Sequence, residues 1–519
     1  MSLRLATLLT MLSGFISLSY EILWIRAFSF AVAGAAFGFA LLLGAYLLGI
    51  AIGSYLVRDI GVGDRQVTGD GYRTLAIFIA CSNIGGVLVV PLMAHIAAAG
   101  IHPGVGLTPV IIVSGALGAQ LPLISHYCIS PDTRAGENIS YIYVANIIGS
   151  VLGSLLTGFV LFEIWTMATI TAVLGALGMI VAFAVFASGG VKRKNMLRSL
   201  ALTLAFIGAI VMSVPPLFTH LWERLQFKEN YESSEPFKHV VENRSGVITV
   251  GQDDVVYGGG VYDGQFSLDL VEDTNMIVRS YSLGLFHPNP RRVLVVGLAS
   301  GSWASILANQ PGVEEVTIVE INPGYLELIK QYEPHRKLFD DAHVEIVIDD
   351  ARRWLRRNPE RIFDAIVVNT TFHWRGNASN LLSMEWMSFI SNHLSDDGVY
   401  IFNTTMSERA ARTALDSFSH CMMIINCMVC SQAPLDYNPE RWLEQLADFS
   451  LWGTPVLDLE QAADREKLET LKTFSILVDE RPKDRRFNIS TQKYLEDLTV
   501  SVEPITDDNM GEEWPNFLK

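Results

Sequence analysis

The rhythm of hydrophobic and polar positions changes once along this chain, near residue 218. Before that point the pattern is long and apolar. Seven runs of roughly twenty residues or more stand at about 5–25, 32–56, 74–99, 105–128, 139–162, 165–187 and 197–217, the length an α-helix needs to cross a bilayer. After it the runs are short. The stretch "HVVENRSGVITVGQDDVVYGGGVYDGQFSL" alternates apolar and polar residues between glycines, which predicts antiparallel strands and hairpins. From about 275, short β-branched runs ("RRVLVVGL", "EEVTIVEI", "VEIVIDD", "FDAIVVN", "GVYIFNT") alternate with helical stretches. That is the signature of a parallel sheet buried on both faces.

The pattern predicts a multi-pass α-helical membrane domain followed by a doubly wound α/β, Rossmann-like domain of the nucleotide-binding type, with a small β-hairpin subdomain at its start. The expected boundaries are 1–218 for a bundle of about seven spans, 219–275 for a connector and the β-subdomain, 276–485 for the α/β domain, and 486–519 for a loosely held acidic tail. No small-residue cleavage site follows the first run, so it reads as an anchor and not a removable signal.

Charge sharpens the division. Residues 1–218 hold 7 acidic and 10 basic side chains, whereas the remainder holds 47 and 28. An acidic domain lacks the clustered cations that phosphate binding needs, so nucleic acid is not expected as a partner. The expected partners are the lipid bilayer and a small-molecule or lipid acceptor, and self-association of the chain is left open. Arg58, Arg65 and Arg73, then Arg134, then Lys192, Arg193, Lys194 and Arg198 fall in alternate loops. The positive-inside rule makes those loops cytoplasmic and puts the soluble domain outside. A domain fed by a cytosolic cofactor belongs inside, and the reading of a bacterial inner-membrane protein with a cytoplasmic domain rests on that requirement.

Within the spans, Glu21 is an acid in an otherwise apolar helix. Such a carboxylate either does a job or is neutralised by a neighbour, here Arg26. Asn83, Gln120, His126 and Asn146 either bond between helices or line a cavity. Small residues at four-residue spacing (Gly34/Gly38, Gly49/Gly53, Gly149/Gly153) suit close helix packing. Five cysteines make no disulfide scaffold. The Cys427–Cys430 spacing suits a metal or redox pair, but without a second pair in an apolar setting it reads as buried and inert. No metal site is expected.

In a parallel sheet of this kind, ligands sit at the carboxyl ends of the strands. Four places qualify. Gly297, Ser300 and Gly301 form a glycine turn after the first strand. Glu320 ends the second strand at the interval that suits a ribose diol. Asp349 and Asp350 follow the third, where an acid could face an adenine amino group. The stretch Asn369, Thr370, Thr371, Phe372, His373, Trp374, Arg375 follows the fourth, where the reacting end of a ligand would lie. His373 has the pKa of a general base, Trp374 could pack on an acceptor, and Arg375 could hold an anionic one. Tyr262, Asp263 and Gln265 have two readings, as parts of a tight Asp-Gly hairpin or as substrate-facing groups over the cleft.

At these residues the chain resembles the spermidine synthases, the polyamine aminopropyltransferases. "HPNP" at 287–290, "GVEEVTIVEI" at 312–321, "DDARRWL" at 349–355 and "YDG" at 262–264 carry the likeness. The apolar half resembles integral-membrane spermidine-synthase-like proteins, whose helical half looks like part of a major-facilitator transporter. The resemblance implies a methyltransferase-type Rossmann-like domain in which Gly297 and Gly301 line a sulfonium nucleoside, S-adenosylmethionine or its decarboxylated form, Glu320 holds the ribose and Asp350 faces the adenine. The departures are as informative. Ser300 stands where the family has an aspartate for the amine of the decarboxylated cofactor. Asn369 and Phe372 stand where it has two catalytic acids, and "NMIV" at 275–278 lacks the acid that helps bind a diamine.

An asparagine cannot take a proton from an amine, so the expectation is a membrane-embedded transferase that moves an alkyl group, methyl first, to a lipid or other membrane-delivered acceptor. Two alternatives stay open: a transporter or scaffold whose soluble domain senses a nucleoside without turnover, and aminopropyl transfer by an altered mechanism.

Overall fold

The computed structural model describes residues 3–58, 69–130, 132–369, 372–478 and 489–514. The chain forms two compact units, Met1–Thr249 and Val250–Lys519.

Seven helices of the first unit are long and apolar enough to cross a membrane by length and composition: Leu3–Ala31, Phe37–Leu56, Gly71–Ala98, Pro103–Cys128, Ala135–Ile164, Met167–Ser188 and Arg193–Asn230. Their close packing depends on glycine. A Cβ on Gly53 would lie 1.8 Å from the Gly115 carbonyl oxygen, and one on Gly149 would lie 1.9 Å from that of Met11. Backbones in such contact gain dispersion energy that bulkier side chains would forfeit. Gly34/Gly38 is not such a pair, because Gly34 occupies the turn between the first two helices with φ 72°.

One expectation for the polar residues is corrected. Arg26 does not neutralise Glu21. Its guanidinium donates to the carbonyls of Asn243 (2.6 Å) and Arg244 (3.1 Å) and lies over the Phe162 ring, while Glu21 is buried in its helix. Gln120 and Asn146 line one cavity of about 170 Å³ together with Ser13, Ser17 and Tyr46. Asn83 stands apart, its amide donating to Ile79 O (2.8 Å), and His126 packs its edge on Tyr127.

The compact division at 249/250 falls later than the composition change at 218. The connector belongs to the helical unit because its polar groups are satisfied there. Glu242, in strand β1 (His239–Asn243), accepts from the Met167 amide (2.7 Å) and from Trp222 Nε1 (3.1 Å). Trp222 packs on Phe30, with ring centroids 4.8 Å apart. Strand β2 (Gly246–Val250) follows.

The second unit opens with the antiparallel hairpin β3 (Val255–Gly258) and β4 (Val261–Gln265). Its turn is Gly259-Gly260, both at positive φ, the backbone that two-residue hairpins favour. Asp263-Gly264 therefore lies inside β4 and does not make the turn.

Beyond it, β5 (Arg292–Val296), β6 (Glu315–Glu320), β7 (Val344–Ile348), β8 (Phe363–Val368) and β9 (Leu394–Asn403) pair in parallel, in the order β9-β8-β5-β6-β7. The chain leaves β5 toward β6 and β7 on one side and returns to β8 and β9 on the other, which makes the β5/β8 boundary a crevice at the strands' carboxyl ends. Strands β10 (His420–Ile424) and β11 (Cys427–Ser431) extend the sheet antiparallel to β9.

Two further corrections concern this extension. Cys421 and Cys430 face each other across β10 and β11 and form a disulfide, and Cys427 is a buried free thiol. The linked pair is Cys421 with Cys430, because the hairpin register sets partners and sequence spacing does not. The C-terminal segment is also not loose. Leu495 and Ile505 are fully buried with Trp386, Tyr400 and Phe402 in the core over β8 and β9. Asp507 pairs with Arg352 at 2.9 Å, and Glu513 accepts from the amides of Asn377 and Ser379, each at 2.9 Å.

Candidate functional site

The loop after β5 is built to be tight. Gly297 (φ 85°) and Gly301 (φ 77°) take left-handed backbone, and Ala299 joins them at 48°. Gly297 continues the ladder by donating to Val319 O (3.0 Å). A Cβ there would come within 3.4 Å of the Asn369 carbonyl, so the loop and the end of β8 approach each other directly. One strand over, the Glu320 carboxylate accepts from Leu298 N and from Asn322 N, both at 2.7 Å. It thus ties the glycine loop to the end of β6. A carboxylate offers about four lone-pair sites; the Leu298 and Asn322 amides take two and the Ile321 amide adds its own pull, so about one is left for a ligand hydroxyl. Burial pushes Glu320 up to about 7, against the pull of the Asn322 and Leu298 amides, and Asp263 adds to the rise.

At the end of β7 the two aspartates divide their work. Asp350 caps the helix Ala351–Arg357, its Oδ1 accepting from Arg353 N at 2.8 Å. Asp349 is engaged by the side chains of Arg353 and Arg357. Asp349 is thereby committed to Arg353 and Arg357, and Asp350 to the cap of the same helix through one carboxylate oxygen.

The third part of the site was legible only as an ambiguity. Asp263 accepts a short hydrogen bond from Tyr325 Oη. Burial raises its pKa, while the Tyr325 hydroxyl and Arg375 pull it down. Tyr325 is held well above its ordinary value by burial and by the charges of Asp263 and Glu320. Gly264, next along β4, brings its backbone beside Ser300, whose Oγ would lie 3.4 Å from a Cβ there. Asp263, Glu320, Tyr325 and Arg375 are therefore one electrostatic cluster beside the glycine loop. Ser300 itself is buried and donates to Ser302 Oγ (2.9 Å), which lies 3.0 Å from His335 Nε2. Tyr262 donates to Asn275 Oδ1. Gln265 is spent on the hairpin, its amide donating to Asp253 O (2.9 Å) and accepting from Thr274 (2.7 Å). Its backbone carbonyl accepts from Ser302 Oγ (2.9 Å), where the glycine loop enters its helix.

After β8, Thr370 and Thr371 lie outside the described residues. His373 is anchored twice to Thr405 Oγ1, by its amide (3.0 Å) and by Nδ1 (2.8 Å), while Nε2 stands 3.5 Å from Glu512. The Thr405 hydroxyl donates to Thr404 O (2.8 Å), which assigns the ring hydrogen to Nδ1 and the lone pair to Nε2. Burial lowers the His373 pKa, with Glu512 opposing. Trp374 packs on Phe372, with ring centroids 5.7 Å apart. Arg375 reaches the β3–β4 turn, where Nη2 would be 2.8 Å from a Cβ on Gly259, and its charge acts on Asp263. Arg375 thus belongs to the same charge cluster as a buried acid. Tyr325 and Glu512 were missed in the sequence: one sits on a helix face with no motif, the other in a segment read as a tail. Among the described residues no group of three or more His, Cys, Asp or Glu side chains could hold a metal ion.

Comparison with known proteins gives this geometry a lineage. Residues 274–430 match the spermine/spermidine synthase domain. Polyamine aminopropyltransferase 1 of Streptomyces coelicolor is 25% identical over 368 residues, covering 66% of this chain and 66% of that protein. A polyamine aminopropyltransferase of Desulforudis audaxviator is 34% identical over 119 residues, 23% of this chain and 42% of its own length. The chain thus spans less than two thirds of either. A polyamine aminopropyltransferase of Mycobacterium tuberculosis is 25% identical over 374 residues, 63% of this chain and 69% of that one. Among solved structures, spermidine synthase from Thermotoga maritima superposes with a TM-score of 0.30 at 17% identity, over 43% of this chain and 83% of that one. The second unit carries a spermine/spermidine synthase domain, homologous to the polyamine aminopropyltransferases.

Proposed function

We propose that the second unit transfers the aminopropyl group of decarboxylated S-adenosylmethionine to an amine. The observation that carries the nucleoside part is Glu320. It is a buried carboxylate that ties the end of β6 to the glycine loop with acceptor capacity to spare, and Asp350 stands at the next strand end. The relatives' names favour aminopropyl over methyl transfer and over a nucleoside sensor without turnover. Asp263 answers the loss of the loop aspartate at Ser300. It brings a carboxylate to the same loop from β4, where it can face an ammonium.

When bound, the sulfonium supplies a carbon whose bond to sulfur breaks as the amine lone pair attacks, leaving a neutral thioether. The chain's own residues do the rest. Asn369 cannot accept the amine's proton. His373 can, because burial keeps its imidazole neutral near pH 7 and Nε2 carries the lone pair. Glu512 then stabilises the imidazolium. Positioning by the loop, Glu320 and Asp263 supplies the remainder of the rate.

The by-product distinguishes the chemistries. With an amine and decarboxylated S-adenosylmethionine, the full chain is expected to release methylthioadenosine. Release of S-adenosylhomocysteine from the intact cofactor, with no methylthioadenosine from the decarboxylated one, would mean methyl transfer.

The seven apolar helices support an integral membrane protein. The transferase reading requires the second unit to face the cytosol, where this cofactor is made, so a reporter fused after Lys519 is expected to be cytoplasmic. The loop charges and the Cys421–Cys430 disulfide favour the opposite face. A reporter found there would leave the site without its cofactor pool and would count against the transferase.

A further inference from the structure

A cavity of about 220 Å³ opens beyond the carboxyl end of β9, next to the His373 loop. The nucleoside residues occupy the ends of β7, β6 and β5. The β8 loop comes next, and then this cavity, so an acceptor approaching the sulfonium would lie in it. Its walls are Met276, Met406, Met423, Ile425, Leu495 and Leu498, with Thr404 and Asn426 at the strand end. Two chains of contacts connect it to the site. Ser407, in its wall, bonds Glu512, which faces His373 Nε2. Asn426 accepts from Arg279 (2.8 Å), which donates to Asn275 O (3.0 Å), and Asn275 accepts from Tyr262.

Three residues of the cavity wall have unusual backbone. Met276 (φ 47°), Met406 (φ 70°) and Ile425 (φ 59°) all take the left-handed region, which is a marked outlier for a β-branched residue such as isoleucine. Ile425 opens the two-residue β10–β11 turn, where glycine would be relaxed. Three strained non-glycine residues around one cavity point to a built site.

We propose that this cavity seats the acceptor and that the acceptor brings to it an uncharged aliphatic chain. The substrate class is an alkyl monoamine, not a diamine. This deepens the transferase reading and rests on it. A second ammonium would need acids to hold it, and among the described residues the one acid in the wall, Glu408, is exposed. Methionine and leucine walls instead reward methylenes, each expected to tighten binding about threefold to fourfold.

The test compares n-hexylamine with 1,6-diaminohexane, which has the same chain length, as acceptors for the full chain in lipid nanodiscs. Methylthioadenosine release is the readout. We expect a KM at least tenfold lower for hexylamine. Ala411→Phe, which fills the cavity, should raise that KM at least tenfold while the Kd of methylthioadenosine, the control for folding, stays the same. Met423→Glu should bring the diamine's KM toward that of hexylamine. Equal or better use of the diamine by the unaltered chain, or an Ala411→Phe variant with intact nucleoside binding and an unchanged KM, overturns the proposal and leaves the nucleoside reading standing. Failure of methylthioadenosine to bind the unaltered chain sinks both.

Discussion

Replacing Glu320 with alanine is expected to weaken methylthioadenosine binding about a hundredfold, roughly 2.7 kcal/mol. The magnitude follows from a hydrogen bond between a charged acceptor and a ribose hydroxyl, which contributes about 1.5–3 kcal/mol. The variant also releases the Leu298 amide, so the glycine loop loses its tie to β6. The same carboxyl sets a pH dependence. Burial raises it to about 7 in the ligand-free protein, and a ribose hydroxyl favours the ionised form. Binding should therefore tighten as pH rises toward 7, level off above it, and release a proton near neutrality, visible as a buffer-dependent calorimetric enthalpy. Without ligand the sign is opposite. A raised carboxyl pKa stabilises the fold below the ordinary carboxylate range and loses that contribution as pH climbs to about 7. Glu320→Gln should abolish both the proton release and this slope. An alanine variant that binds as tightly as the unaltered chain would mean the ribose lies elsewhere.

His373→Ala is expected to cost a factor of about 10²–10⁴ in turnover, the usual worth of a positioned general base, with nucleoside affinity changed less than about threefold. Because burial lowers the imidazole pKa, the acid limb of kcat should fall below the ordinary histidine range. His373→Asn keeps polarity without basicity and should be as impaired as alanine. Glu512→Gln should move the limb further to acid pH, because it removes the charge that opposes burial. If alanine lowers binding and turnover together, His373 holds the loop and does not move a proton.

The parts of this protein that were legible in the sequence are those specified by local pattern. Strands β5 to β9 announce themselves as β-branched runs, because both faces of a parallel sheet are buried. Glycine or an acid at the end of β5, β6 and β7 follows from where such sheets bind ligands. The missed features depend on pairings between distant segments. Cys421 meets Cys430 only because a two-residue turn sets the β10–β11 register. Asp263 reads as a hairpin residue until Gly259-Gly260 is seen to make the turn. Glu512 reads as a charge in an acidic tail, yet burial of Leu495 and Ile505 pins that tail against β9 and brings Glu512 to His373. Arg26 has a nearby acid in sequence, but carbonyls more than two hundred residues away take its hydrogen bonds. Nothing local in the sequence encodes such choices.

In the proposed transferase the ends of β5, β6 and β7 hold a sulfonium nucleoside whose tail is an amine. Isothermal calorimetry of the full chain with decarboxylated S-adenosylmethionine, intact S-adenosylmethionine and methylthioadenosine tests it most directly. The decarboxylated cofactor and methylthioadenosine are expected to bind, with the intact cofactor at least tenfold weaker because its carboxylate would face Asp263. Preference for the intact cofactor, or no binding of any of the three, would contradict it.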